Sequence, residues 1–241
     1  MTIKVSVVGA TGRMGKLAVE LIESASDLEL HSKLNSKSSL DEARGADLIF
    51  DATSLEVSQK VVDFAVTNEI PVLVATSGWT KQLLAELEAR INQSTVVVIP
   101  NFSVGSILGS KFAALAAKFF DTIEIVETHH AGKLDSPSGT AIRTAELIEA
   151  SRAEISEQAL KIAGLGQPAR GQVVAGVPIH SLRIDGVSAK QEVILGGNQE
   201  VLTITHQTNS VQAYSAGILN SIRFTVDAKG LVVGLDKVLG I

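Results

Sequence analysis

Short apolar runs alternate with stretches of helical period through the first hundred residues, and this alternation constrains the fold more than any other feature. Ile3–Val8 is a Val-rich run closed by glycine, the pattern of a strand buried on both faces. Met14, Leu17, Ala18, Leu21 and Ile22 then fall on one helical stripe. Further strands are expected at Leu28–Leu34, Asp47–Ala52, Val72–Ala75 and Thr95–Ile99. Helical stripes lie between the later ones: Val57, Val61 and Ala65, then Leu83, Leu84, Leu87 and Ile91. A βαβ order of this kind predicts an α/β chain with a doubly wound, Rossmann-type parallel sheet and helices on both faces.

The rhythm changes near Asn101. Ser106–Phe120 has helical character, Ile123–Thr128 is strand-like, and a polar loop leads into another helix. Three strand-like runs then follow with no helix between them: Val177–Ile184, Lys190–Leu195 and Glu200–His206. Glycines 186, 196 and 197 fit turns between these runs, which predicts antiparallel, meander-like pairing. His180 and Arg183 fall on the first run, where exposure is the default. Val211–Phe224 returns to helical period, with Tyr214, Ile218, Leu219 and Ile222 on one side. The expected organisation is a dinucleotide-binding domain over residues 1–103 and a smaller α+β domain with an open mixed sheet over 104–210. Residues 211–241 return to the first domain.

Composition narrows the partners. Of 241 residues, 21 are Lys or Arg and 26 Asp or Glu, a formal charge of −5. That sign argues against general nucleic-acid binding, which needs a basic face, and gives no attraction to an anionic membrane. Nine aromatic residues are too few for a base-stacking surface. With no cysteine there is no disulfide, no thiolate metal ligand and no cysteine nucleophile. No apolar run reaches the roughly 20 residues needed to span a bilayer. MTIKVSVVGA does not read as a secretory leader, so a cytoplasmic location is expected.

The first motif with chemistry is Gly9-Ala10-Thr11-Gly12-Arg13-Met14-Gly15, between the first strand and the first helix. Small residues there permit a tight turn and let the backbone approach a pyrophosphate, which the helix N-terminus receives. The same glycines serve a purely structural turn, but the strand-loop-helix context favours dinucleotide binding. After the second strand comes Asn35-Ser36-Lys37-Ser38. An acid at this point would bind the ribose hydroxyls and repel a 2′-phosphate. None is present, and Lys37, with Arg13 from the glycine loop, is suited to that phosphate. The other reading of this segment is a solvated polar loop. NADPH used at least as well as NADH is the expectation.

The densest chemistry is Glu127-Thr128-His129-His130-Ala131-Gly132-Lys133-Leu134-Asp135-Ser136-Pro137-Ser138-Gly139-Thr140-Ala141. A His pair ends a strand, a lysine follows in a glycine-containing loop, and Pro-Ser-Gly-Thr opens a helix. Together they offer a proton carrier, a fixed cation and an anion-binding helix start. A His pair more often serves a surface or structural role. A zinc site is disfavoured, because the ligand spacing is wrong and only His31, His180 and His206 remain. No metal is expected.

These fifteen residues resemble the pattern E-x-H-H-x-x-K-x-D-x-P-S-G-T-A of the 4-hydroxy-tetrahydrodipicolinate (dihydrodipicolinate) reductase family, and every fixed position is met. Gly-Arg-Met-Gly at 12–15, Phe50-Asp51-Ala52-Thr53 and Pro100-Asn101-Phe102-Ser103-Val104-Gly105 match the family's other landmarks in order. Two departures stand out. Ala75-Thr76-Ser77-Gly78-Trp79 replaces the usual Gly-Thr-Thr-Gly-Phe, and Asn35 stands where many members carry an acid.

The resemblance implies a hydride transfer from NADPH or NADH to an unsaturated dicarboxylate heterocycle, giving tetrahydrodipicolinate for lysine and diaminopimelate synthesis. By carry-over, His129 and Lys133 are the acid–base pair, either of which delivers the proton, with Lys133 favoured as the final donor. His130 and Lys133 bind one substrate carboxylate; Ser138, Gly139 and Thr140 bind the other. The cofactor residues so implied are Gly9–Met14, Ala75, Thr76, Ser77, Ile99, Pro100, Asn101 and Phe102. Phe102, Trp79, His206 and Tyr214 also read as ordinary packing residues. A homotetramer joined through the second sheet is implied as well. Two rivals remain at this point: another small two-domain nicotinamide dehydrogenase, resembling aspartate dehydrogenase, and a non-catalytic nucleotide sensor.

Overall fold

The structure, a computed structural model, describes residues 2–91, 94–154, 160–164 and 166–241. In chain order the elements are β1 (Ile3–Val8), α1 (Arg13–Ser24), β2 (Leu28–Leu34), β3 (Leu48–Asp51), α2 (Leu55–Thr67), β4 (Val72–Val74), α3 (Lys81–Arg90), β5 (Thr95–Val98) and α4 (Val104–Ala116). There follow β6 (Thr122–His129), α5 (Gly139–Ala153), β7 (Gln172–Val174), β8 (Val177–Arg183), β9 (Ala189–Gly196), β10 (Val201–Thr208), α6 (Ser215–Asp227), β11 (Gly230–Val233) and α7 (Leu235–Leu239). Residues 1–104 with 211–241 form one compact unit, and 105–210 form another.

In the first unit six parallel strands run in the order β11-β5-β4-β3-β1-β2. The central strands β3, β4 and β5 are buried along their whole length and are near-continuous apolar runs, whereas the edge strand β2 alternates. Val8, Ile49, Val72, Val74, Val96 and Val98 pack on one side with Val61, Val62 and Ala65 of α2 and Leu87 of α3. Helices α1 and α6 bury Leu17, Ala18, Ile22, Ile218 and Ile222. Strand β1 lies between β2 and β3, so the strand order reverses there. Ligands of open α/β sheets sit at the carboxyl ends of strands flanking such a reversal.

In the second unit the order is β10-β9-β6-β8-β7. The sheet is mixed: β6 is parallel to β8 and antiparallel to β9. Gly196 and Gly197 do turn β9 into its neighbour β10, but Gly186 does not join neighbours, because β6 lies between β8 and β9. The expected meander is therefore corrected to two hairpins flanking a central β6. Ala141, Ala145 and Ile148 of α5 cover one face, against Ile123, Ile125, Val177, Ile179, Val193 and Leu195. Elsewhere on these strands Leu182, Ile194 and Val201 are exposed at 48%, 36% and 69%.

Candidate active site

In the first unit the loops after β1, β3, β4 and β5 lie at the same edge of the parallel sheet. Gly9 has φ +84°, and a Cβ there would collide with the Ala52 carbonyl; a Cβ at Gly15 would collide with the Gly9 carbonyl. The β1 loop thus approaches the β3 loop more closely than any side chain allows. Gly12 stands at the N-cap of α1 with no side-chain cap, so the first amides of the helix face outward. A glycine cradle ending in an uncapped helix start fits the pyrophosphate of a dinucleotide. Ala10, Thr11, Arg13 and Met14 complete this loop, and Thr11 and Arg13 are exposed.

After β2, Asn35 Oδ1 accepts the Lys37 amide at 2.9 Å and Ser38 Oγ accepts the Asn35 amide at 3.2 Å. The segment is folded on itself, with the Lys37 side chain exposed. Beneath the β3 and β4 loops lies a buried network. Asp51, fully buried, accepts from Thr53 Oγ1 at 2.6 Å, Ser58 Oγ at 2.5 Å and Thr76 Oγ1 at 2.8 Å. Thr76 Oγ1 also accepts the Thr53 amide at 2.9 Å. Burial raises the Asp51 pKa above its ordinary value, and the three hydroxyls only partly offset this. Ala75 donates its amide to the Asp51 carbonyl, and Ser77 is exposed.

At the end of β5, Ile99 is core and Pro100 is exposed, while Asn101 Oδ1 accepts the Ser103 amide. The Phe102 ring is buried 6.2 Å from the Phe50 ring, and its carbonyl is pressed against Gly217 of α6. The Phe102 side chain is therefore a packing group. Trp79 is half-buried, with its indole N–H on Ser58 Oγ at 3.1 Å.

In the second unit His129 closes β6, and His130 follows it, exposed. Glu127, two positions earlier on the same face, is completely buried and accepts from His129 Nδ1 at 2.6 Å. Burial raises the Glu127 pKa, but hydrogen bonds from Arg183, Ser181 and His129 outweigh it and hold the carboxyl below its ordinary value. An ionised Glu127 fixes the His129 proton on Nδ1 and leaves Nε2 directed away. The His129 pKa is lowered, first by burial and then by the Lys133 and Arg183 charges, against the raising effect of Glu127. Lys133 Nζ lies 2.6 Å from both Asp135 carboxylate oxygens. That contact holds the Asp135 pKa down.

Helix α5 begins at Gly139 beside these groups. Ser138 Oγ caps it by accepting the Ala141 amide at 3.2 Å, and the Ser138 amide reaches Glu127 Oε1 at 3.2 Å. The Ser138 hydroxyl proton remains available. The side of Gly139 is open, and a methyl group there would meet nothing within 4 Å. His129, His130, Lys133, Ser138, Gly139 and Thr140 are thus gathered at one end of β6 within this unit. His206 is a packing group: Gly105 and Gly109 of α4 pass directly over its side chain.

Two residues of this cluster escape a reading of the sequence. Arg183, expected to be exposed, has a side chain only 19% accessible and ion-paired with Glu127. No local signal marks it, since its partners other than the adjacent Leu182 carbonyl lie 48 to 56 residues away in the chain. Glu127 carries a weak signal, an acid two positions before a histidine on one strand face.

A glycine-cradled dinucleotide crevice and a buried carboxylate–histidine pair with a neighbouring lysine belong to a nicotinamide-dependent oxidoreductase. Residues 3–102 match the family model for the N-terminus of dihydrodipicolinate reductase, and residues 105–239 match that for its C-terminus. The chain belongs to the dihydrodipicolinate reductase family. It is 53% identical to a 4-hydroxy-tetrahydrodipicolinate reductase of Clavibacter sepedonicus, over 99% of this chain and 87% of that one. The Streptomyces griseus enzyme of the same name is 41% identical over 98% of each chain. A dipicolinate-bound dihydrodipicolinate reductase from Paenisporosarcina sp. TG-14 superposes with TM-score 0.83 at 30% identity, covering 98% of this chain and 99% of that one. A myo-inositol dehydrogenase from Corynebacterium glutamicum, with TM-score 0.62 at 15% identity over 95% of this chain and 90% of that one, shares the fold alone.

Proposed function

We propose that this chain forms tetrahydrodipicolinate in lysine and diaminopimelate synthesis by reducing the unsaturated ring left when 4-hydroxy-tetrahydrodipicolinate loses its hydroxyl as water, on the enzyme or before binding. The observation that carries this reading is His129, held by buried Glu127 at 2.6 Å, beside Lys133 and the start of α5. When bound, the nicotinamide supplies a hydride to the unsaturated ring. The reduced ring then needs a proton at the neighbouring carbon. His129 and Lys133 hold and move that proton, with Lys133 as final donor. Burial lowers the His129 pKa and favours the neutral ring, whose Nε2 is free of the Glu127 contact and can accept a proton. Lys133 leaves the exposed Asp135 for a substrate carboxylate, which His130 also receives. The Ser138 hydroxyl and the Gly139 and Thr140 amides take the second carboxylate.

Residues 1–103 with 211–241 are the dinucleotide-binding domain in this reading, and 104–210 bind substrate. The cofactor is held by Gly9–Met14, Asn35, Lys37, Ala75–Ser77 and Ile99–Phe102. The absence of an acid after β2 supports use of NADPH at least as well as NADH. The exposed apolar side chains Leu182, Ile194 and Val201 on the second sheet support a homotetramer joined there. The enzyme works in the cytoplasm. Among the described residues no helix is long and apolar enough to cross a membrane.

The test is NADPH consumption on addition of freshly made dihydrodipicolinate synthase product. Substrate-dependent oxidation is expected. No turnover with either nicotinamide overturns the reading and leaves the sensor or another dehydrogenase. For the assembly, light scattering is expected to give the mass of four chains, and a monomer overturns that part.

A further inference from the structure

We propose that Arg183 and Glu127 form a positioning pair that sets the His129 tautomer and the course of the Lys133 loop. The proposal rests on the reductase reading for the roles of His129 and Lys133, while its structural content stands on hydrogen bonding alone.

Arg183 lies at the end of β8, beside His129 in the parallel β6–β8 register. A guanidinium has five N–H donors. Here each has an acceptor. Nε reaches the Lys133 carbonyl at 3.2 Å. Nη1 reaches Glu127 Oε2 at 2.9 Å and the Leu182 carbonyl at 2.7 Å. Nη2 reaches Glu127 Oε1 at 3.0 Å and the Asp135 carbonyl at 2.6 Å. No donor is left for a substrate carboxylate, so Arg183 acts on the protein. Two of its bonds hold the backbone of Lys133 and Asp135, on either side of the fully exposed Leu134.

Glu127 is saturated in the same way. Oε1 accepts from Arg183 and the Ser138 amide; Oε2 accepts from Arg183 and His129 Nδ1; and the Ser181 side chain also bonds to this carboxylate. One buried carboxylate therefore references the imidazole ring, the start of α5 and, through Arg183, the lysine loop. An unpaired carboxylate at zero exposure is strongly unfavourable, and the bidentate guanidinium is what permits it. Lysine, a point charge with no planar fork, cannot replace it.

The test joins kinetics to 15N NMR of the histidine rings in the full chain. In the unsubstituted protein His129 is expected as the Nδ1–H tautomer; the Nε2–H tautomer overturns the proposal whatever the activity. In Glu127→Gln the amide N–H₂ faces His129 Nδ1, and the ring is expected to switch to Nε2–H. kcat then falls by about 10²-fold or more while the KM for NADPH is retained, since a wrongly protonated imidazole is catalytically impaired in unaltered geometry. Arg183→Lys keeps the charge and is expected to lose about 10²-fold in kcat by displacing the Lys133 loop. It should also alter the acid limb of the kcat–pH profile, because the His129 ring is faced by Glu127, Lys133 and Arg183, whose positions the substitution disturbs. If Arg183→Met unfolds, the double variant Arg183→Met/Glu127→Gln removes the stranded charge and is expected to fold without recovering kcat. An unchanged tautomer in Glu127→Gln, or full kcat in Arg183→Lys, overturns the proposal. Failure of every protein, including the unsubstituted one, to turn over the dicarboxylate overturns the reductase reading instead, and the tautomer result still decides this one.

Discussion

Ser58 Oγ donates to Asp51 Oδ2 at 2.5 Å, and the same hydroxyl accepts the Trp79 indole N–H at 3.1 Å. A side chain that departs from the family pattern is thereby tied to the carboxylate beneath the β3 and β4 loops. Phenylalanine at 79 has no donor to offer.

Trp79→Phe is accordingly expected to lower stability by about 1–2 kcal/mol, the cost of a lost bond to a buried acceptor. The Ser58 side chain is fully buried, so water does not replace the indole. Urea unfolding measures this directly. An unchanged midpoint means the bond carries nothing.

His129→Ala and Lys133→Ala are each expected to reduce kcat by about 10²–10⁴-fold, the usual worth of positioned acid–base catalysis. NADPH affinity, measured by fluorescence titration, is expected to hold, because neither side chain belongs to the first unit. Undiminished kcat in both variants removes them from the mechanism.

Stability should fall with acid through the His129 site. The folded pKa of His129 lies below the ordinary 6.5, so the unfolded chain binds that proton more readily and stability drops as pH falls through 6.5. Glu127, also depressed, withdraws its contribution as pH falls below its ordinary 4.5. Asp51 acts oppositely: its raised pKa means its contribution grows as pH falls toward 3.8. In His129→Asn the loss of stability between about pH 7 and pH 5, read from urea midpoints, is expected to be shallower. An identical slope would remove His129 as the source.

Much of the first unit is legible because parallel buried strands write themselves as apolar runs bounded by glycine. Ile3–Val8, closed by Gly9, is a strand over the span its sequence predicts. β11 is not legible, since Gly230–Val233 is four residues long and becomes a strand only by pairing with β5. The mixed topology of the second unit is equally hidden, because Gly186 marks a turn without saying which strand comes next to which. In the site, local chemistry is readable and distant chemistry is not. His129 and Lys133 stand out in one short segment, in which Glu127 leaves only a weak signal, whereas Arg183 meets them only through the β6–β8 pairing.

Gly15→Ala tests the close approach on which the cradle depends. The new methyl would collide with the Gly9 carbonyl and lie 2.8 Å from Ala10 Cα, so the loop must shift. Overpacking of this kind costs about 1–3 kcal/mol. NADPH affinity is expected to drop at least about tenfold, equivalent to about 1.4 kcal/mol. Gly139→Ala is the contrast, since its methyl meets nothing within 4 Å. Its melting temperature is expected to stay level or rise, by the reduced freedom of the unfolded chain. Equal behaviour of the two variants would show that the cradle is not tight.

In the proposed reading, cofactor choice turns on the segment after β2. Asn35 accepts the Lys37 amide through its own side-chain oxygen, the Lys37 side chain is exposed, and no carboxylate lies within Asn35-Ser36-Lys37-Ser38. A 2′-phosphate there gains a cation, while the ribose of NADH loses the acid that usually binds its hydroxyls. kcat/KM for NADPH is therefore expected to equal or exceed that for NADH. Lys37→Glu replaces the attraction by repulsion and should move the ratio toward NADH by about tenfold or more, corresponding to about 1.4 kcal/mol. Salt should narrow the difference, because the charge is solvent-exposed and screened within a Debye length. A strong NADH preference in the unsubstituted enzyme, or a ratio indifferent to Lys37→Glu, would exclude this segment as the 2′-phosphate site.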